Sequence, residues 1–292
     1  MQEYRLIHDY KHHADYRQSF GLLAKQIFSI DFEHWYNLGY WGDAYVCFSY
    51  LYHEQVIANV SISRMDMVCH GKPIKAIQVG TVMTHPDHRG QGLAGKLMRF
   101  ALSQYANSYD LAFLFANRSV LDFYPRFGFQ RLEQQQFSVS LGQLASAPQA
   151  PRRLDLSLPA DLQTLLRLSR QRQPVSQTLG VVNVAWLLMF YCLHLCGQDV
   201  YYLPELDAVT IHRVEGELLQ LYDVISARPF NLDQIVAAIV PAGVKRLQFH
   251  FTPDQTSLPL ACEDWQSSDG LFFLPADFKF PERFMFPTMC QA

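Results

Sequence analysis

Three closely spaced glycines, Gly90, Gly92 and Gly95, lie in the stretch "THPDHRGQGLAGKLMRF", just ahead of a periodic apolar run. Lacking a Cβ, Gly90 and Gly92 leave backbone N–H groups uncovered and tolerate unusual φ angles. The helix predicted from about Leu93 to Tyr105 adds unsatisfied N–H groups and a positive dipole end, which together suit a pyrophosphate. Arg89 adds charge beside them. The run Gly90-Gln91-Gly92-Leu93-Ala94-Gly95 also spells the dinucleotide pattern G-x-G-x-x-G. Its context argues against that reading, because the pattern belongs directly after a first strand, with an acidic residue closing the next strand. Here roughly three strand-like runs come first and Pro86 to Arg89 intervene. Asp110 opens the next strand instead of closing it.

A second candidate is Tyr124 in "NRSVLDFYPRFGF", where Asn117, Gly128 and Phe129 also stand. The apolar surroundings would equally suit a core tyrosine. Trp35, Tyr36, Tyr40 and Trp41 form an aromatic group that could wall a pocket, fill a core or line a domain interface. Glu33 and His34 in the same segment could help deprotonate an amine but read first as solvated helix residues. His85 and His88 precede the glycine loop and read as structural or solvent-facing. Cys192 and Cys196 could share a helix face, but a closed metal site needs about four ligands, so they read as core thiols. No metal is expected.

The elements that must position these residues follow from periodicity. "EYRLIHDY" reads as a first strand and "HADYRQSFGLLAKQIF" as an amphipathic helix. "DFEHWYNLGYWGD" begins at a cap, Asp31. Three strand-like runs, "AYVCFSYLY", "VIANVSISRMDMV" and "IKAIQVGTVMT", have short turn-like separators and favour an antiparallel meander. After the loop and its helix come the strand "LAFLFAN", a short helix around "VLDFYPRF" and a strand pair near "GFQRLEQQQFSVSL". "SAPQAPRR" marks a boundary between domains 1–145 and 152–292. The second half offers helices near 160–171 and 181–195, strands "AVTIHRV" and "ELLQLYDVIS", a helix "NLDQIVAAIV" and a strand "RLQFHF". Its order loosely repeats the first half, without a glycine-rich loop.

Bulk properties narrow the function. The chain has 292 residues and a formal net charge of −3, with no Lys/Arg-rich run, so no nucleic-acid partner is expected. The longest apolar stretch, Val181 to Cys196, is short for a membrane span and reads as a buried helix. The N-terminus lacks the apolar segment of a secretory signal, and no membrane partner is expected; the expected location is cytoplasmic.

The glycine loop resembles the signature Q/R-x-x-G-x-G/A of the GNAT superfamily of acetyl-CoA-dependent N-acetyltransferases, here Arg89-Gly90-Gln91-Gly92-Leu93-Ala94 preceded by "VMTHP". The Tyr before Gly-Phe in "NRSVLDFYPRFGF" is similar to a second family feature. The resemblance covers about residues 1–140, and the paired-domain layout resembles the enhanced intracellular survival type. It implies an α/β GNAT fold: a mixed, mostly antiparallel sheet whose fourth and fifth strands splay, with flanking helices. A second, smaller α/β domain, of degenerate GNAT-like or related type and without its own cofactor, would follow. It further implies acetyl-CoA as co-substrate, with Arg89 to Gly95 on the pyrophosphate, Val82, Met83 and Thr84 along the pantetheine arm, and Asn117 near the cofactor. Tyr124 would be the acid that protonates the departing thiolate, and the acceptor a small-molecule or peptide amine attacking directly. In the enhanced intracellular survival type the terminal carboxylate enters the active site, which would bring Ala292 there. The rival expectation is a non-catalytic acyl-CoA-binding or interaction protein.

Overall fold

The computed structural model describes residues 3–142, 151–266 and 269–292. In the first half, β1 (Arg5–His8) leads to α1 (Ala14–Phe28) and α2 (Phe32–Asn37). The long strands β2 (Tyr45–Tyr52), β3 (Gln55–Cys69) and β4 (Lys72–Thr84) follow, then α3 (Leu93–Gln104), β5 (Leu111–Asn117), β6 (Gln130–Leu132) and β7 (Gln135–Ser140). Next come β8 (Arg152–Arg153), α4 (Pro159–Arg170), β9 (Leu179–Val182), α5 (Ala185–His194), β10 (Val200–Leu203), β11 (Ala208–Glu215) and β12 (Leu218–Ser226). The chain closes with α6 (Leu232–Ile239), β13 (Arg246–Phe249), β14 (Ala261–Asp264) and β15 (Asp269–Leu274).

Local rules account for the helices that frame the loop. Phe20, Leu23 and Ala24 give α1 a buried stripe, and Ser29 ends it in the left-handed region with φ 60. Asp31 caps α2 by accepting from the N–H groups of Glu33 and His34. In α3, Leu93, Leu97, Met98 and Ala101 face the sheet. Complete burial of Leu97 and Met98 contributes about 2 kcal/mol each.

Two sheets organise the described residues. The first has the order β1-β2-β3-β4-β5-β15-β6, with β9 pairing β3; the second runs β14-β7-β13-β12-β11-β10-β8. Most pairings are antiparallel, and β4–β5 and β12–β13 are the parallel ones. The sheets do not separate at the expected 145/152 boundary. β15, from the chain's end, lies between β5 and β6, and β7 lies in the second sheet between β13 and β14. The strand pair expected near "GFQRLEQQQFSVSL" is therefore split: β6 and β7 belong to different sheets. Residues 146–150 of the expected boundary lie outside the described residues.

The helix expected over Val181–Leu195 begins only at Ala185. Leu179–Val182 instead pairs with Asp66–Cys69 of β3, and Asn183, at φ 58, turns the chain from strand to helix. Edge pairing satisfies four residues' backbone groups that an apolar period cannot distinguish from helix.

The second sheet repeats one feature of the first. In β11–β12 the register shifts between Ile211 and His212, opposite Tyr222, and β12 then pairs with β13 in parallel from Leu218 to Leu221, across the helix α6. Its crossover differs from the glycine loop. Asn231 caps α6 through its side chain, which accepts from Asp233 and Gln234 N–H. A buried Arg172–Asp223 ion pair, 2.7 Å at its shorter contact, stands beside the bulge.

Candidate active site

The site begins where β4 and β5 part. They pair only from Ala76–Leu111 to Gln78–Phe113. From Val79 to Thr84 and from Leu114 to Asn117 they have no pairing with each other, which leaves a slot through the sheet. A bulge in β4 aims the backbone into it. Gly80 faces Ser61 and Met83 faces Asn59, so Thr81 and Val82 stand opposite Val60 alone. The His85 N–H donates to Ile57 at 2.7 Å. By alternation Met83 also faces β3, while the Val82 and Thr84 N–H groups face the slot. Without the extra residue the alternation would be reversed.

The glycine loop lies at the end of this strand. A 3-10 turn, Pro86–His88, delivers Arg89, whose Nε donates to Thr84 O at 3.3 Å. Gly90 and Gly92 have φ 75 and 71, and nothing within 4 Å would meet a Cβ on either. Gly92 is the N-cap of α3 and offers no side-chain hydrogen bond, so the first-turn N–H groups are open to a ligand. This fits an anionic phosphate better than a neutral group. Gln91 is tied by Tyr4, whose hydroxyl donates to Gln91 Oε1 at 2.6 Å and contacts His88 Nδ1 at 3.1 Å. Leu93 is buried under the loop; Ala94 and Gly95 are half-buried, with Gly95 next to Phe127.

Tyr124 opens a 3-10 turn, is buried, and packs against Phe123, Phe129 and Phe272. It belongs to the same apolar cluster as Val79, Leu97 and Met98, which puts it on the α3 face of the sheet. Burial pushes its phenol up to about 12. Asn117, at the end of β5, uses its Oδ1 to cap the following turn through Ser119 N and Oγ.

The opposite face of the slot holds the chain's last residues. Gln78 Nε2 donates to the Ala292 oxygen at 2.8 Å, and the Ala292 N–H donates to Gln78 Oε1 at 2.9 Å. Tyr191 of α5 donates its hydroxyl to Gln291 O at 2.6 Å. A Cβ on Gly80 would sit 2.9 Å from the Ala292 oxygen, so glycine is required for this approach. Gln78 was legible only as a polar interruption in "IKAIQVGTVMT"; nothing in the sequence paired it with Ala292.

The aromatic group near α2 lies mostly in an interface with α5. Trp35 and Trp41 are buried, Trp35 Nε1 donates to Trp186 O at 2.9 Å, and Phe32 and Trp35 touch Phe190. Tyr36 lies 3.7 Å below the Arg17 guanidinium, and Tyr40 is half-buried. Glu33 is held by Arg17 at 3.1 Å, and the ring of His34 is 6.2 Å from that of His194. His85 accepts from Asp87 N–H. Among the described residues, no cluster of three or more His, Cys, Asp or Glu is placed to hold a metal ion, and no helix is long and apolar enough to cross a membrane.

Residues 16–132 match the family model of the acetyltransferase (GNAT) domain, so the first half carries a GNAT acetyltransferase domain. Three solved structures share the fold across both sheets. A GCN5-related N-acetyltransferase from Kribbella flavida is 13% identical with a TM-score of 0.57, over 93% of this chain and 71% of its own. Eis1 from Mycobacterium abscessus is 14% identical with a TM-score of 0.57, over 92% and 72%. A GCN5-related N-acetyltransferase from Anabaena variabilis is 12% identical with a TM-score of 0.55, over 92% and 72%. At these identities the likeness is one of fold. A search of the curated proteins finds no match.

Proposed function

We propose that this GNAT-domain chain transfers an acetyl group from acetyl-CoA to a primary amine across the β4–β5 slot. The observation that carries the reading is the two-faced arrangement at that slot. An open glycine loop and Tyr124 lie on the α3 face, and Ala292, bound to Gln78, lies on the other. Donor and acceptor would then enter from opposite sides and meet beside the bulge.

In this reading Arg89 and the N–H groups from Gly90 to Gly95 hold the pyrophosphate. Val82, Met83 and Thr84 run beside the pantetheine arm, and Asn117 closes the slot's far wall. The Val82 N–H meets the thioester oxygen as it gains charge, an electrostatic role of the oxyanion kind. The amine nitrogen bonds to the acyl carbon, the carbon–sulfur bond breaks, and the amine gives up a proton. That proton leaves on the Ala292 side of the slot, where a free carboxylate at residue 292, held beside Gln78, would accept it. Tyr124, protonated at neutral pH, donates to the sulfur as it leaves, giving the thiol, and takes back a proton from solvent while the amine's proton is released on the other side.

Among the described residues the second sheet has no open glycine loop, and its capped α6 supports a single acetyl-CoA per chain. We take the two sheets as the cores of the two expected domains, with β7 and β15 exchanged between them. All six cysteines are free, which supports a reducing, cytoplasmic setting. The acceptor class is an amine on a small molecule or peptide. The test is thiol release from acetyl-CoA over a panel of a polyamine, an aminoglycoside, an amino acid and a lysine peptide. Acetyl-CoA binding without turnover on any amine would instead favour a binding protein.

A further inference from the structure

We infer that Tyr45 and Asn59 are positioning residues that latch the β4 bulge and so keep the Val82 N–H aimed into the slot. The inference rests on the acetyl-transfer reading of that slot.

Thr81 lies at the bulge with φ 46, a left-handed conformation that a β-branched residue adopts only when its surroundings hold it. Two other strands of the same sheet do so. From β2, the Tyr45 hydroxyl lies 2.6 Å from Thr81 Oγ1. From β3, Asn59 Nδ2 donates to Thr81 O at 2.9 Å. Tyr45 and Asn59 are both buried, so neither contact competes with bulk water. Asn59 is itself oriented. Its Nδ2 also donates to Ser61 Oγ at 2.9 Å, and its Oδ1 accepts from Ser49 Oγ at 2.8 Å. Ser49 in turn pairs with Tyr10 at 2.6 Å. With both amide hydrogens and the oxygen engaged, rotation of Asn59 would leave buried polar atoms unpaired. Side chain and main chain of Thr81 are thus held from two directions, in a place where the sheet supplies no ladder partner on the β5 side. A buried polar chain whose members are paired holds the strands it joins in one arrangement.

The test compares variants in purified full-length protein, using acetyl-CoA and the amine of the panel above that turns over fastest. Tyr45→Phe and Thr81→Ala each remove the hydroxyl pair. Each should lower kcat by about 10- to 100-fold, in line with the cost of small misplacements, while the KM for acetyl-CoA stays within about 3-fold. The double variant should be no slower than the slower single one, and Thr81→Ser should recover most of kcat. Val236→Ala, in the core of the second sheet and outside this chain, should lower the melting temperature without lowering kcat. A Tyr45→Phe protein that melts earlier but keeps wild-type kcat overturns the latch, as does one that fails to fold together with Thr81→Ala. A wild type that acetylates no amine overturns the acetyl-transfer reading and the latch with it. An active wild type with an indifferent Tyr45→Phe overturns the latch alone.

Discussion

Gln78 and Ala292 hold one another through two hydrogen bonds, amide to main-chain oxygen at 2.8 Å and main-chain N–H to amide oxygen at 2.9 Å. One partner lies in the middle of a strand and the other 214 positions on, so the pair ties residue 292 to the face of the slot opposite α3.

If a carboxylate at residue 292 takes the amine's proton, a chain stopped at Cys290 should lose turnover more than stability. The lost hydrogen bonds contribute about 1 kcal/mol each, whereas loss of a general base costs roughly 10² to 10⁴ in rate. Gly80→Ala should act in the same direction, since its methyl would meet the Ala292 oxygen at 2.9 Å. Combining the two changes should cost no more than the deletion alone. Steady-state rates and melting temperatures of the three proteins check this; full activity after the deletion would remove Ala292 from the mechanism.

Tyr124→Phe removes one oxygen from a packed aromatic cluster, so fold and acetyl-CoA affinity should survive. Turnover should fall by roughly 10² to 10⁴. Because burial pushes the phenol up to about 12, the wild-type rate should have no alkaline limb from this group below about pH 11. Near-normal turnover of Tyr124→Phe, with chemistry limiting, would mean that thiolate leaves unprotonated or takes its proton from water.

Gly92→Glu places bulk and like charge where the pyrophosphate is proposed to sit, at a position whose φ of 71 already disfavours a side chain. Acetyl-CoA affinity should drop by about 100-fold or more, because like-charge juxtaposition costs several kcal/mol. Calorimetry on the folded variant measures this. The same titration of wild type should give one acetyl-CoA per chain; two would mean that the second sheet binds its own.

The candidate site was legible as local structure where conformation is set within a few residues. Glycines at Gly90 and Gly92 and the Asp31 cap carry their conformational reason within a few residues, and the structure has a loop and a helix start there. What could not be read depends on pairing between distant segments. "GLFFL" in β15 is a plain apolar run, and only its insertion between β5 and β6 makes it part of the first sheet. The bulge at Thr81 is equally hidden, since neither Thr81 nor Val82 has a composition that marks an extra residue. Its supports, Tyr45 and Asn59, lie 36 and 22 positions away.

Acid should destabilise the fold through two histidines in the second half. Burial holds the imidazoles of His212 and His250 down to about 4, against an ordinary 6.5. Between those values the unfolded chain binds protons at these rings and the folded chain does not. Stability therefore rises with pH across that window and is lost as pH falls through it, by about 3 kcal/mol per ring at most. Denaturant unfolding at pH 7 and pH 4.5 should differ less in His250→Gln than in wild type. An identical pH dependence in both proteins would contradict the buried, neutral state of that ring.

The central claim is acetyl transfer at the β4–β5 slot, and the most direct measurement follows product and thiol together. Purified protein is incubated with acetyl-CoA and each amine of the panel; free thiol is read by colour and the amine's mass by spectrometry. The account predicts, for at least one amine, thiol release that depends on that amine and is matched one-to-one by an N-acetylated product. Both signals should fall sharply in Gly92→Glu at acetyl-CoA concentrations below saturation. Thiol release that no amine accelerates, with no acetylated product from any class, would contradict it.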